Sequence, residues 1–499
     1  MTQLSYLLQG FGTVLEPINL FFIAFGGFLG TVVGMLPGLG PSTAIAVLLP
    51  ITFGMNPISA MILLTAIYYG AMFGGSRSSI LLNTPGDAAA IAATFDGYPM
   101  AKKGEAGPAL AISAIASLIG GTLAVVGFIF LAKPLANFAL KFGPAEYFLL
   151  YLFALSAVVS LSTGNMLKGF ISMCIGLALS TVGIDLQTSV YRFTFGIPEL
   201  ISGINFVVVV MGIYAVGEVL HNYLTVDKEK VSDKNDIGRV WITRSQWERS
   251  KWPIFRAAPL GFLIGVLPGA GASMSTILAY SLEKQVSKNS EEFGKGAIEG
   301  LASPESANNA TAVGALIPML TMGIPGSPAT AVMLGALVMI GLRPGPFLFQ
   351  NSPELIWSLI DSMFIGNIFL VFLNIMLVGI LIKVLDTPSK ILYPLILALA
   401  FVGTYTLQYN VVNFYLLVIF GVIGLFMKMI KFPIAPLILA LIVGSDMEQY
   451  FRKSLVSSKG DLSVLFNSTI STTLLILTFL AIMYPFFVTW LNSKKNKAN

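Results

Sequence analysis

The sequence predicts an all-α polytopic membrane protein with broken or re-entrant helices and an internal two-fold repeat. Three observations carry that prediction. Apolar residues make up 56% of the 499 positions and charged residues only 11%, against about 25% charged in a soluble domain. Apolar runs of spanning length recur along most of the chain. Two Pro-Gly boxes in the first part return, in the same order, in the second.

A helical span needs about 20 mostly apolar residues. Candidates are 18–36, 56–73, 109–132, 146–162, 168–184 and 204–220, then 257–282, 307–323, 354–384, 391–407, 411–427, 433–444 and 464–490. Some are short or crowded with Gly and Pro, so the expectation is roughly 11–14 membrane-embedded elements, not all of them fully spanning. The stretch from Phe28 to Pro50 and its counterpart from Gly261 read as interrupted helices. The N-terminus MTQLSYLLQG has neither a basic segment nor a small-residue cleavage site, so no removable signal peptide is expected.

Residues 221–256 differ in kind. They hold eight Lys/Arg and five acids, which marks a cytoplasmic connector under the positive-inside rule. The chain therefore divides into a first transmembrane repeat (15–220), the connector (221–256), a second repeat (257–490) and a basic tail (491–499), also expected in the cytoplasm.

Residues 30–42 read GTVVGMLPGLGPS and 261–273 read GFLIGVLPGAGAS. Identical pairs, offset by 231, are Gly30/Gly261, Gly34/Gly265, Leu36/Leu267, Pro37/Pro268, Gly38/Gly269, Gly40/Gly271 and Ser42/Ser273. NTPGDAAA at 83–90 and GIPGSPAT at 323–330 form the second pair, offset by 240. An ordered recurrence of two boxes indicates a duplicated membrane protein, inverted in the membrane plane if each half has an odd number of crossings.

The boxes carry the chemistry. Proline lacks a backbone donor and glycine admits positive φ, so Pro37-Gly38-Leu39-Gly40-Pro41 cannot continue a helix. Freed backbone groups are tolerated at membrane depth only where protein or a wet cavity receives them. Matched breaks in two halves are the sequence signature of a transporter site: half-helix N-termini attract an anion and unwound carbonyls hold a cation. Ser42, Thr43 and Ser273 follow the first box of each half. Asn83, Thr84 and Asp87 surround Pro85 and Gly86. Glu305, Asn308, Asn309 and Ser327 lie near Pro325 and Gly326. Arg77 is the candidate partner of a substrate carboxylate, with an interfacial position or pairing to Asp87 as its structural alternatives. Glu305 reads equally as a structural or a site residue, and Arg343 as interfacial.

Several function classes are excluded. Cys174 is the sole cysteine and His221 the sole histidine, which removes disulfides, cysteine metal clusters and most His-based catalysis. No dense basic patch points to nucleic acid, and no GxxxxGK[ST] points to a primary pump. Asp87, Asp185, Asp361, Asp386 and Asp446 lie at or near segment ends, which disfavours an intramembrane aspartyl hydrolase.

GMLPGLGPSTAIAVLLPITF, NTPGDAAAIAATFDGYPMAKKGEAGPAL, GAIEGLASPESANNA, IPMLTMGIPGSPATAVMLGAL and FPIAPLILALIVGSDMEQYFRKSL together resemble the large membrane subunit of tripartite tricarboxylate transporters, the TctA family, over residues 15–490. The resemblance implies a non-enzymatic transport path through the bacterial cytoplasmic membrane, without a cofactor. It implies import of citrate or other organic carboxylates in symport with Na⁺ or H⁺, Na⁺ ligands being unassigned. It implies two partners: a small four-helix (TctB-like) membrane subunit and a periplasmic (TctC-like) substrate-binding protein. Its fold implies helical hairpins and an elevator-like movement. By motif the site carries over to Pro37, Gly38, Gly40, Ser42, Thr43, Pro85, Gly86, Pro268, Gly269, Gly271, Ser273, Asn308, Asn309, Pro325 and Gly326, beside which the polar residues Asn83 and Ser327 are candidates. The alternative is a symporter of the same architecture acting without a binding protein.

A cysteine placed at Ser232 should react with an impermeant thiol reagent only from the cytoplasmic side. Labelling from the periplasm of intact cells would overturn the placement of the connector.

Overall fold

Where the sequence breaks its helices, the chain turns back. In the computed structural model, which describes residues 3–498 apart from 37, 162–165, 186, 226–237, 381–388 and 409, the first hairpin is α2 (Pro17–Gly34) and α3 (Pro41–Leu48). It precedes α4 (Pro57–Leu82) and α5 (Ile91–Met100). The second is α11 (Arg244–Val266) and α12 (Gly271–Val286), followed by α13 (Ile298–Met322) and α14 (Pro328–Met339). Between them lie α6 (Ala106–Ala139), α7 (Pro144–Leu161), α8 (Met166–Ser180), α9 (Phe206–Val210) and α10 (Gly217–Thr225). The second part ends with α15 (Leu348–Asn351), α16 (Pro353–Met376), α17 (Ser389–Gln408), α18 (Val412–Met429), α19 (Ala435–Ser457) and α20 (Thr469–Ala498); the short α1 (Gln3–Val14) opens the chain. Among the described residues, six helices are long and apolar enough to cross a membrane, and several shorter apolar helices accompany them. Sheet among the described residues is confined to Gly183–Ile184 paired antiparallel with Tyr191–Arg192.

The starts of these helices follow from local chemistry. Pro17, Pro41, Pro57 and Pro328 stand at first helical positions, where no donor is needed and φ is already set. Asn56 accepts a hydrogen bond from the Ile58 N–H at 2.9 Å. Thr243 and Gln246 form a capping box that starts α11 at Arg244, so the C-terminal part of the expected connector is helix. Residues 226–237 of the connector lie outside the described residues. The expected basic tail continues the last helix as far as Ala498.

Two buried helices form the core. α4 is buried from Ser59 to Ile80 and α13 from Ile298 to Thr321. Each receives the first helix of the hairpin before it, α2 or α11, at glycine distance. A Cβ on Gly30 would sit 2.2 Å from the Ile67 carbonyl oxygen, and one on Gly34 2.3 Å from that of Ala71. On the other side, Gly261 would meet the Ala307 carbonyl at 2.3 Å and Gly265 that of Thr311 at 2.4 Å. In reverse, Gly74 would meet the Thr31 oxygen at 2.3 Å and Gly314 the Phe262 oxygen at 2.4 Å. The contacting residues are related by the same 231 and 240 offsets that relate the boxes. α4 and α13 also end alike, on the left-handed residues Asn83 (φ 54°) and Gly323 (φ 74°).

These two helices cross antiparallel. Tyr68 Oη lies 3.5 Å from Ser327 Oγ, Ser76 Oγ donates to Glu305 Oε1 at 2.6 Å, and Ile80 and Leu301 both pack on Gly97. One end of the bundle gathers the α5–α6 turn and the starts of α11 and α13. There Asp96 Oδ1 accepts the N–H groups of Gly294, Gly296 and Ala297 at 2.9, 2.7 and 2.8 Å, Tyr280 donates to Oδ2 at 3.0 Å, and Lys103 Nζ donates to the Lys295 carbonyl at 2.6 Å. Arg249 clasps Glu299 through two 2.8 Å bonds. At the opposite end the Gln187 and Thr188 N–H groups, with Arg452 and Arg192 close by, hold the Asp185 carboxyl below the usual carboxylate range.

A Gly34→Val or Gly265→Val change should push the hairpin off its core helix, at a cost of about 1–3 kcal/mol or more from overpacking. Thermal unfolding in detergent should show a lower midpoint for each.

Candidate functional site

The four breaks converge. The N-terminal turns of α3, α5, α12 and α14 face one cavity of about 540 Å³. Gly38, Gly40, Ser42 and Thr43 line it from the first break, and Pro85, Gly86 and Asp87 from the second. Gly271 and Ser273 line it from the third, and Ser327 and Pro328 from the fourth. Helix N-termini present unpaired N–H groups and the positive end of the dipole, so four of them aimed at one space favour an anion. The hydroxyls add neutral donors. Tyr214 hydrogen-bonds to Ser42, and Tyr68 approaches Ser327.

The backbone around the breaks is built to turn. Gly38 (φ 80°) and Gly269 (φ 82°) occupy the left-handed region that disfavours side chains. Leu39 N–H bonds to the Leu36 carbonyl at 3.0 Å, and Gly269 N–H to the Gly326 carbonyl at 3.3 Å, so the two boxes of the second half are joined directly. Asp87 Oδ1 accepts the Ala90 N–H at 3.0 Å and so fixes the turn that leads into α5.

Not every candidate faces the cavity. Pro37 lies outside the described residues. Asn83 is the exposed left-handed cap of α4. Pro268, Gly269, Pro325 and Gly326 form the turns behind the lining, and a Gly326 Cβ would sit 2.8 Å from the Gly265 carbonyl oxygen. Asn308 and Asn309 are buried inside α13; Asn309 Nδ2 donates to the Glu305 carbonyl at 3.2 Å.

Arg77 is buried against α6 and is not among the cavity-lining residues. Its Nη1 donates to Ser113 Oγ at 2.9 Å, and Ser113 donates to Glu305 Oε2 at 3.0 Å. Ser76 and Ser117 complete the cage around Glu305 at 2.6 and 3.2 Å. The arginine thus faces Glu305 across one serine and not Asp87. The adjacent Ser-Arg of GGSRSSI and the Glu of SPESANN form a charge-compensated joint among α4, α6 and α13.

Away from the four breaks, the cavity is lined by residues that were not singled out from the sequence as site residues: Tyr68, Met72, Tyr214, Glu218 and Lys428. Glu218 is the acid inside the apolar run 204–220, and Lys428 sits one residue past the run 411–427. Ionisable groups at membrane depth are functional by default, so that rule applied to these runs would have flagged both. They form an ion pair with each other. No group of three or more His, Cys, Asp or Glu side chains able to hold a metal ion occurs among the described residues.

Comparison with known proteins gives one family. The model of the tripartite tricarboxylate transporter TctA family matches residues 20–439. An Agrobacterium vitis protein described as an uncharacterized 52.8 kDa protein in the TAR-I ttuC' 3' region is 42% identical over 475 residues, 95% of this chain and 94% of the relative. A second protein of that organism, described as an uncharacterized protein in the TAR-II ttuC' 3' region, is 41% identical over 215 residues, 43% of this chain and 89% of its own. No solved structure matches significantly.

Replacing Arg77 by Leu should leave Glu305 buried without its compensating charge and cost about 3–5 kcal/mol. Replacing both Arg77 and Glu305 by Leu should recover part of that loss. Thermal unfolding of the purified variants reads both effects.

Proposed function

This chain belongs to the tripartite tricarboxylate transporter TctA family, and we propose that it forms the transmembrane path of a binding-protein-dependent importer of organic di- or tricarboxylates. It is a multi-pass membrane transporter component, and the family is the large subunit of tripartite transporters. The observation that carries the substrate class is the convergence of four helix N-termini and the hydroxyls of Ser42, Thr43, Ser273 and Ser327 on one cavity. Carboxylate oxygens are what such a site attracts, and neutral donors let it release them.

The remaining parts of the proposal rest on the family and on the sequence. Transport is driven by cation symport with Na⁺ or H⁺, without catalysis or a resident cofactor. The partners are a small TctB-like membrane subunit and a TctC-like periplasmic binding protein. The chain sits in the bacterial inner membrane with the Lys103–Arg249 end in the cytoplasm, a reading supported by the basic residues clustered there. The two halves are an inverted repeat. What supports this is the recurrence of the glycine contacts at fixed offsets, together with the antiparallel crossing of α4 and α13.

Vesicles containing this chain, its small subunit and the cognate binding protein should accumulate a labelled di- or tricarboxylate under a Na⁺ or pH gradient. A Gly38→Val, Gly269→Val variant should insert but not transport. Both positions have positive φ, and a Cβ there would lie 3.0 Å from Glu218 Oε1 and 2.7 Å from Val158 Cα respectively. Ser42→Ala and Ser273→Ala should each weaken affinity by about 0.5–1.5 kcal/mol. Normal uptake by the double valine variant would reject the cavity as the transport site.

A further inference from the structure

We propose that Glu218 and Lys428 couple proton movement to carboxylate transport: the incoming carboxylate takes Lys428 from Glu218, and Glu218 takes up a proton as it is released. This rests on the transport reading above. It adds the residue that meets the substrate charge and the ion that accompanies it.

The placement argues for exchange. Among the described lining residues the ionisable acids are Asp87 and Glu218, and Lys428 is the cation. Lys428 closes on Glu218 as an ion pair in which the carboxylate is 4% exposed and the lysine side chain 24%. Both residues line the cavity, and the lysine is the more accessible member of the pair. Lys is suited to the step, because its ammonium is a mobile point charge on a flexible stem, whereas Arg holds a fixed fork. Glu218 is set at this depth by the π-helical turn Met211–Val216 immediately before it, a distortion common at functional sites. Its Oε1 also lies 3.0 Å from the Cβ position of Gly38, so the pair touches the first break directly.

The charge balance then requires a proton. With the pair intact, Lys428 is neutralised by Glu218. A dicarboxylate entering as a dianion would face two acids. Once its carboxylate occupies Lys428, an ionised Glu218 would be a buried, uncompensated charge in an apolar wall, a state that burial disfavours strongly. Protonation removes it: carboxylate, H⁺ and the Lys428–Glu218 pair become a carboxylate–Lys428 pair and a neutral Glu218. On release to the other side the proton leaves as Glu218 pairs with Lys428 again. Glu218 faces Lys428 from Val412–Met429 and the uncharged backbone of Gly38. Asn222 and Tyr214 flank it on its own element, and Asp87 and Tyr68 line the same cavity.

The test uses reconstituted vesicles with both partners, a panel including citrate, succinate and malate, and a pH dye for the purified chain. Wild-type protein should take up about one proton per carboxylate bound, and a pH gradient without Na⁺ should drive accumulation. Glu218→Gln should still exchange labelled for unlabelled carboxylate, but bind no proton and lose accumulation driven by the pH gradient. Lys428→Met should lower carboxylate affinity roughly 10–100-fold, the size of a lost charge-assisted bond, with Lys428→Arg retaining part of it. The neutral double variant Glu218→Gln, Lys428→Met leaves no orphan charge. It should elute as a monodisperse protein yet bind carboxylate as weakly as Lys428→Met, separating loss of the site from loss of the fold. Wild-type accumulation with no proton uptake, unaltered pH coupling in Glu218→Gln, or unaltered affinity in Lys428→Met would each overturn the proposal while leaving the transport reading standing. Failure of the wild type to bind or accumulate any of the panel would overturn the transport reading and this proposal with it.

Discussion

A helix that stops inside a membrane must hand its unpaired backbone groups to something other than lipid. That constraint shapes this protein. The breaks are pressed against the core helices and against one another, glycine on carbonyl: Gly34 on Ala71 and Gly265 on Thr311 of the core helices, Gly86 on Gly34 and Gly326 on Gly265 of the neighbouring hairpin helix. The hairpins cannot move far from α4 and α13 without exposing their ends. The ends can therefore be unpaired only toward the one space they share, and that space is the cavity.

Charges at membrane depth obey the same economy. Glu305 is wrapped by three serine hydroxyls and compensated by Arg77 through one of them, tying three helices together. Asp96 collects three backbone N–H groups ahead of α13, where a carboxylate suits the positive end of the helix. Both ionised groups are spent on architecture. The Glu218–Lys428 pair differs because it stands at the cavity wall with its cation partly open. The buried joints give a stiff frame, and the pair in the wall gives a charge that can be exchanged. A rigid frame around a few exchangeable contacts is what a transporter site needs, since cargo must be both held and released.

The division of labour among the motifs is consequently uneven. DGYPMAKKGEAG and SPESANNA are as distinctive as the Pro-Gly boxes, yet their Asp96, Glu305 and Asn309 hold helices in place and do not line the cavity. Within the boxes, Gly38, Gly40 to Thr43, Pro85 to Asp87, Gly271 to Ser273, Ser327 and Pro328 face the cavity, while Gly269, Pro325 and Gly326 make the turns behind it. A sequence motif marks where substitution is constrained, and a tight turn constrains substitution as severely as a ligand does.

Local rules made much of this legible. Hydropathy placed the chain in a membrane, because too few charges exist to solubilise its surface. Pro and Gly located the breaks, because no α-helix continues through Pro-Gly-Leu-Gly-Pro. Asn56, Thr243 and Ser327 were not read as caps from the sequence, and the structure shows each holding the start of its helix. The role of Arg77 was not legible: whether a buried arginine meets a substrate or a serine depends on which helix lies opposite, and Ser113 and Glu305 are 36 and 228 residues away. Glu218 and Lys428, 210 residues apart, could be flagged singly as charges in or beside apolar runs, but their pairing could not, since only the fold brings α10 and Val412–Met429 together. The start of α11 within the basic stretch was hidden by its charges, which the capping box and the Arg249–Glu299 and Arg256–Glu283 pairs accommodate in a helix. Sequence by itself determined what depends on neighbours along the chain: membrane burial and the helix breaks. Tertiary structure alone decided which charges compensate one another and which face the cavity, because charge pairing across helices is a property of distance in space, and the chain folds residues hundreds of positions apart into contact.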